Sequence, residues 1–175
     1  MTDDLPPLVS TEWLAARLAE PDLVVLDASH HLPAAGRDGA GEFAAGHLPG
    51  ARFLALGTLY DPASPVPYAL PSPEQLAAHL AALGVPAGAR IVLYDDSALK
   101  SAARAWFMLT SSGWEKVAIL DGGLAKWRAE GRPREAGTPQ IAPAAPARLH
   151  PPARVRSKAE MLANLASRAA QVVDA

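Results

Sequence analysis

An α/β fold, with an open parallel sheet carrying helices on both faces, is predicted by three observations. Leu23–Asp27, Ile91–Tyr94 and Lys116–Leu120 are short runs of mainly apolar residues without the alternation of a half-exposed sheet, so they read as strands buried on both faces. Between them lie segments with helical apolar spacing and recognisable start and stop residues. Strand and helix alternate along the chain, which requires crossovers and hence parallel strands.

Taken in order, Ser10 is placed to cap a helix from Thr11 to about Ala19, with Trp13, Leu14 and Leu18 on one face. Residues 30–50 hold several glycines and two histidines and read as a loop. Phe53-Leu54 suggests a short second strand, and residues 61–71, with prolines at 62, 65, 67 and 71, an extended surface excursion. Ser72-Pro73-Glu74-Gln75 is a full helix start, with an N-cap, a proline at N1 and a capping-box glutamine. Leu76, Leu80 and Leu83 follow on one stripe, and Gly84 ends the helix. Ser101 to about Ser111 is helical, its alanines permitting close packing. Leu124–Glu130 is a short helix with Trp127 inward, stopped by Gly131.

Composition narrows the function. The 175 residues include no cysteine, which excludes disulfides, thiolate metal sites and thiol catalysis within this chain. A formal net charge of −2 gives no basic footprint for nucleic acid, and no 18-residue apolar run suggests a membrane span. The opening residues Met1–Pro7 carry two aspartates and no apolar segment, so no secretory signal and a cytoplasmic location are expected. No cofactor is expected. His30-His31 and the scattered carboxylates lack metal-ligand spacing, so no metal is expected either.

The chemistry is expected where the Ile91–Tyr94 strand gives way to the Ser101 helix. In open α/β sheets ligands bind at the carboxyl ends of the strands, and the first turn of a helix attracts anions. The loop there reads Asp95-Asp96-Ser97-Ala98-Leu99-Lys100: two carboxylates, no nucleophilic sulfur. Asp27 and Asp121 also follow strands and could act as bases, though turn-capping is the simpler role for each. His47, before Leu-Pro-Gly, is expected to fix a turn by hydrogen bonding. Arg104 is expected in a buried ion pair with Asp27 or Asp95. Trp106 and Trp127 are expected in the core.

Four stretches in fixed order then carry a resemblance: Leu26-Asp27-Ala28-Ser29; Glu42-Phe43 through His47-Leu48-Pro49-Gly50-Ala51; Tyr94-Asp95-Asp96-Ser97 through Ala102, Arg104 and Trp106; and Leu120-Asp121-Gly122-Gly123 with Trp127. The chain resembles the N-terminal half of a tandem rhodanese-type sulfurtransferase, the family of thiosulfate and 3-mercaptopyruvate sulfurtransferases. That resemblance implies a five-stranded parallel sheet in each of two halves. It also implies a catalytic cysteine in the second half alone, at the position matching Asp95. There a thiolate takes sulfur from the donor as a persulfide and passes it to cyanide or a thiol. The segment Arg52-Phe53-Leu54-Ala55-Leu56 and Tyr68 depart from the 3-mercaptopyruvate branch, which favours thiosulfate as the donor of the parent enzyme.

Domain organisation follows from the last third of the chain. Residues 1–131 form the non-catalytic rhodanese-like domain. Residues 132–152, with six prolines (133, 139, 143, 146, 151 and 152), read as a semi-rigid interdomain linker. Residues 153–175 read as the start of a second, truncated domain. Ser157 and Glu160 form another capping box, Met161, Leu162 and Leu165 an apolar stripe, and Gln171–Ala175 repeats Val24–Ala28. The expected partners are therefore a second rhodanese domain of the same chain and, for the whole protein, a small sulfur donor and acceptor. Two other readings compete. One is a stand-alone binding module presenting the Asp95–Lys100 loop; the other is a carboxylate-based phosphotransferase with magnesium at Asp95 and Asp96.

Overall fold

The computed structural model describes residues 5–153 and 155–173. In chain order the elements are β1 (Leu8–Val9), α1 (Thr11–Ala15), β2 (Leu23–Asp27), α2 (Gly39–Ala45), β3 (Arg52–Phe53), α3 (Pro73–Ala82), β4 (Arg90–Tyr94), α4 (Ala102–Ser111), β5 (Val117–Leu120), α5 (Gly123–Ala129) and α6 (Lys158–Ser167). The five strands form one parallel sheet in the order β1-β5-β4-β2-β3, with Leu26 beside Leu93 and Leu93 beside Ile119 at its centre.

Strand side chains alternate between two cores, which is why the three long strands carry no polar alternation. Val24, Leu26, Ile91, Leu93 and Val117 face Leu76 and Leu80 of α3 and Ala105, Met108 and Leu109 of α4. Val25, Val92, Tyr94, Ala118 and Leu120 face Leu14 of α1, Phe43 of α2 and Leu124 and Trp127 of α5. Trp127 is fully buried and donates its indole N–H to the Pro133 carbonyl at 2.7 Å. Trp106 is half-buried against the first core and bonds the Val117 carbonyl.

The helix starts match their chemistry. Ser10 accepts from the Trp13 N–H, and Ser72 and Gln75 close a reciprocal capping box with Pro73 at N1. Three points need correction. Residues 30–50 are not all loop: α2 runs from Gly39 to Ala45, N-capped by Asp38 and anchored by buried Phe43. Its composition, with two glycines and only one large apolar residue, carries no periodic signal. The first strand is β1, which the sequence reading missed because a two-residue edge strand has no period to detect. Helix α1 is also shorter than expected, giving way to turns after Ala15.

Residues 132–152 are extended, as their prolines require, but they do not stand clear of the domain. Glu135 exchanges both backbone hydrogen bonds with His47. The Gly137, Ala144 and His150 N–H groups bond the carbonyls of Ala44, Ala81 and Ser112, and Ala147 and Leu149 pack on the first core. The segment is a strap laid around the domain. Beyond it, α6 has the predicted Ser157–Glu160 capping box, and its Met161, Leu162 and Leu165 are exposed. Residues 171–173 form no strand; Asp174 and Ala175, on which the repeat partly rests, lie outside the described residues. Among the described residues no helix is long and apolar enough to cross a membrane.

Candidate functional site

The loop from Asp95 to Lys100 joins the carboxyl end of central strand β4 to α4, at the predicted edge. Asp95 turns inward. It is 8% exposed, and its Oδ2 accepts the Ala102 N–H, at the first residue of α4, at 2.7 Å. The position where a helix would attract a bound anion is thus filled by the chain's own carboxylate. The Asp95 carbonyl accepts the Leu124 N–H at 3.1 Å. Gly123, at φ +55°, lies so close to that carbonyl that a Cβ would collide with it.

Asp96 turns the other way. Its N–H donates to Ser29 Oγ at 2.9 Å, while its carboxylate meets Arg128 at 2.8 Å and Arg37 at 3.3 Å. Arg37 also donates to the Asp96 carbonyl and grips Glu42, which in turn accepts from His31 Nε2 at 3.0 Å. Arg37 lowers the Glu42 pKa first through this hydrogen bond. Ser97 and Ser101 are buried and hydrogen-bonded through their hydroxyls, and Ser101 donates to the Ala28 carbonyl and accepts the His30 N–H. The loop is therefore braced against the segment after β2. Ala98, Leu99 and Lys100 form its exposed tip, with Lys100 at φ +52°.

The other candidates take structural positions. Asp27 is buried and its Oδ1 accepts the Ser29 N–H at 2.8 Å, an Asx turn after β2. Burial pushes its pKa up, and the facing Tyr94 phenol is itself raised by burial and by Asp27. His47 is buried, stacks on Phe43 at 4.0 Å between ring centroids and donates from Nδ1 to the Phe43 carbonyl at 2.8 Å, so it fixes the turn after α2. Asp121 is exposed beside Lys126 at 3.3 Å, and with Asp95 and Lys100 it borders a cleft of about 410 Å³.

Arg104 corrects the sequence reading. It forms no buried ion pair with Asp27 or Asp95; it is exposed and donates to the Tyr68 carbonyl at 2.6 Å. The inward face of α4 is taken by Ala102, Ala105, Met108 and Leu109, which leaves position 104 on the solvent side. The bracing residues Arg37, Arg128 and Ser101 were missed. Arg37 and Arg128 stand far from the loop in sequence and only the sheet order brings them to it, whereas Ser101 at the head of a helix was a readable signal.

What the loop can do follows from these contacts. Its two carboxylates are committed to different partners on opposite sides, one to a helix N-terminus and the other to two guanidinium groups. They do not converge on a shared ligand as a two-carboxylate magnesium site requires. Among the described residues no three His, Asp or Glu side chains converge as a metal site. What the structure shows is a strand-to-helix loop at the carboxyl edge of the sheet whose first residue is a buried carboxylate bound to the helix N-terminus.

Comparison with known proteins agrees with the fold. The family model described as Rhodanese-like domain matches residues 10–130. Human 3-mercaptopyruvate sulfurtransferase is 40% identical over 173 residues, covering 95% of this chain and 58% of that protein. Thiosulfate sulfurtransferase from Bos taurus is 35% identical over 173 residues, covering 95% of this chain and 58% of its own length. An Escherichia coli crystal structure, described as showing the rhodanese fold of 3-mercaptopyruvate sulfotransferases, superposes with a TM-score of 0.87 at 35% identity, over 94% of this chain and 63% of the other. The chain spans less than two thirds of the length of each.

Proposed function

Because this chain belongs to the rhodanese-like domain family, we propose that it is the non-catalytic N-terminal domain of a tandem sulfurtransferase. The observation that carries the reading is the Asp95 carboxylate, bound to the Ala102 N–H in a chain without cysteine. A thiolate at that position would be stabilised by the same helix N-terminus and would attack the sulfur of a donor. A carboxylate there repels an anionic donor and has no sulfur to accept. On this reading the chemistry belongs to a second rhodanese-like domain of the same protein, against which this one packs and whose cleft it walls. That domain's thiolate takes the sulfur of the donor to become a persulfide, releasing sulfite from thiosulfate or pyruvate from 3-mercaptopyruvate. The persulfide then transfers its outer sulfur to cyanide or a thiol.

Two observations support the tandem arrangement: the chain covers 58% of its human relative, and α6 leaves Met161, Leu162 and Leu165 exposed. The donor is open to two specific arguments. The names of the human and Escherichia coli relatives favour 3-mercaptopyruvate, whereas Arg52–Leu56 and Tyr68 favour thiosulfate. A cytoplasmic location belongs to the same proposal. A stand-alone binding module is the second reading, favoured by the exposed Leu99 at the loop tip.

The test is direct. The purified 175-residue chain is assayed with thiosulfate and cyanide for thiocyanate, and with 3-mercaptopyruvate and dithiothreitol for sulfide. Neither product should exceed the protein-free rate. Turnover proportional to protein concentration with either donor overturns the proposal.

A further inference from the structure

A cleft of about 390 Å³ opens at the amino ends of β4 and β5, the edge of the sheet opposite the Asp95 loop. The turn before β4, at Gly88, and the turn between α4 and β5, at Gly113–Lys116, form two of its sides. The strap supplies the third with Ala147, Arg148 and Leu149. These walls are held in place. Trp114 is buried and donates its indole N–H to the Ala89 carbonyl at 2.8 Å. The strap is pinned alongside by the His150 N–H on the Ser112 carbonyl at 3.0 Å and the Ala153 N–H on the Ser111 carbonyl at 3.1 Å. Gly88, at φ +79°, has open space around it.

The charged side chains around the cleft are of mixed sign: Glu115, Lys116 and Arg148. All three are exposed, and among the described residues none forms an ion pair or a side-chain hydrogen bond. The Lys116 charge also acts on Asp22, but that carboxylate is already held by Arg90 through two hydrogen bonds of 2.8 Å. Elsewhere on the domain Arg37, Arg90, Arg128 and Arg132 all grip carboxylates. Here one carboxylate and two cations line a single cleft without pairing with one another. A small molecule carrying both signs can meet all three.

We infer that this cleft binds an apolar α-amino acid as its zwitterion. The carboxylate lies between Lys116 and Arg148, the ammonium meets Glu115, and the side chain packs against Trp114, Ala147 and Leu149. Apolar walls with a few convergent polar groups are the usual form of a small-molecule site, and the volume lies at the small end of the usual range. Each simpler ligand leaves part of the cleft unused. A carboxylic acid leaves Glu115 without a partner, an amine leaves both cations without one, and an inorganic anion leaves the walls uncovered. Bound there, the amino acid bridges the strap to the body of the domain. The assignment is independent of the sulfurtransferase reading, since it concerns the opposite edge of the sheet and no group transfer.

The experiment is a titration of the ¹⁵N-labelled 175-residue chain with L-phenylalanine. The controls are 3-phenylpropionate, which lacks the ammonium, and phenethylamine, which lacks the carboxylate. Saturable shifts are expected at residues 87–88, 113–116 and 147–149, and each control should bind at least about tenfold more weakly. Glu115→Gln should remove the advantage of L-phenylalanine over 3-phenylpropionate. Arg148→Gln should weaken L-phenylalanine by about tenfold and leave phenethylamine unchanged. At ten times its Kd the amino acid should slow amide exchange at His150 and Ala153 by about tenfold, because it binds only the docked strap. The wild-type comparison of the three compounds stands even where a variant fails to fold. No saturation by about 10 mM, equal affinity for all three compounds, shifts confined to other residues, or unchanged exchange in the strap overturns the inference.

Discussion

Asp27 ends β2 and Asp95 directly follows β4, and the two side chains meet different surroundings. Asp95 sits at the edge of the sheet with a helix N–H to accept from. Asp27 is sealed beneath the loop beside Tyr94, and desolvation raises its pKa despite the Ser29 hydrogen bonds. The raised value means the folded state holds this proton more tightly than the unfolded chain. Its stabilising contribution is therefore complete below the unfolded value of about 3.9 and is lost as pH rises through the folded one. Asp27→Asn keeps an acceptor for the Ser29 N–H and removes the titration. The wild-type stability minus that of the variant should fall as pH rises from the ordinary carboxylate range toward neutrality, measured by urea unfolding at a series of pH values. A flat difference would refute burial as the dominant cause. The sequence showed that Asp27 ends a strand; its burial beside Tyr94 came with the closed fold.

Among the elements, the β5–α5 turn shows how a motif can be legible while its purpose is not. Asp121-Gly122-Gly123 read as a strand end and helix start, but the need for glycine comes from β4, whose following residue Asp95 presses its carbonyl against position 123. Gly131 offers an internal control, with φ +65° and open space around its Cα. Gly131→Ala should cost about 1 kcal/mol from backbone conformation alone. Gly123→Ala should cost at least about 1 kcal/mol more, because the collision is with backbone that cannot rotate away. Denaturant midpoints of the two variants check this, and equal costs would remove the close approach as the reason for the glycine. The same dependence on neighbours explains why α2 and β1 escaped sequence reading. Asp38 and Phe43 hold α2 through a cap and one buried ring, and β1 exists because β5 offers it an edge.

At the scale of the whole molecule, the proline-rich segment decides how the domain is bounded. A passive linker contributes nothing to the stability of the fold it leaves, whereas a strap with backbone bonds to His47, Ala44, Ala81 and Ser112 does. Truncation to residues 1–132 should therefore lower unfolding stability by at least about 2 kcal/mol, given a net worth near 1 kcal/mol for each hydrogen bond. Thermal and urea unfolding of the truncated chain measure it, and an unchanged midpoint would favour a semi-rigid linker that adds nothing to the fold. The strap also leads from α5 to α6, so its docking bears on where the exposed Met161, Leu162 and Leu165 are presented.

What the sequence determined by itself was whatever a local pattern can carry. The three long strands are continuous apolar runs because both faces of the sheet are covered, and α3 and α6 announce themselves with capping boxes. The missing cysteine is a matter of composition. Tertiary structure decided what depends on contacts between distant segments: Arg37 and Arg128 converging on Asp96, Arg104 reaching Tyr68 rather than an aspartate, the strap's path, and the cleft beside Trp114. Local sequence specifies backbone preference and which residues seek burial. Which charge meets which, and which surface stays open, is set by sheet order and crossover, and those exist only once the chain has closed on itself.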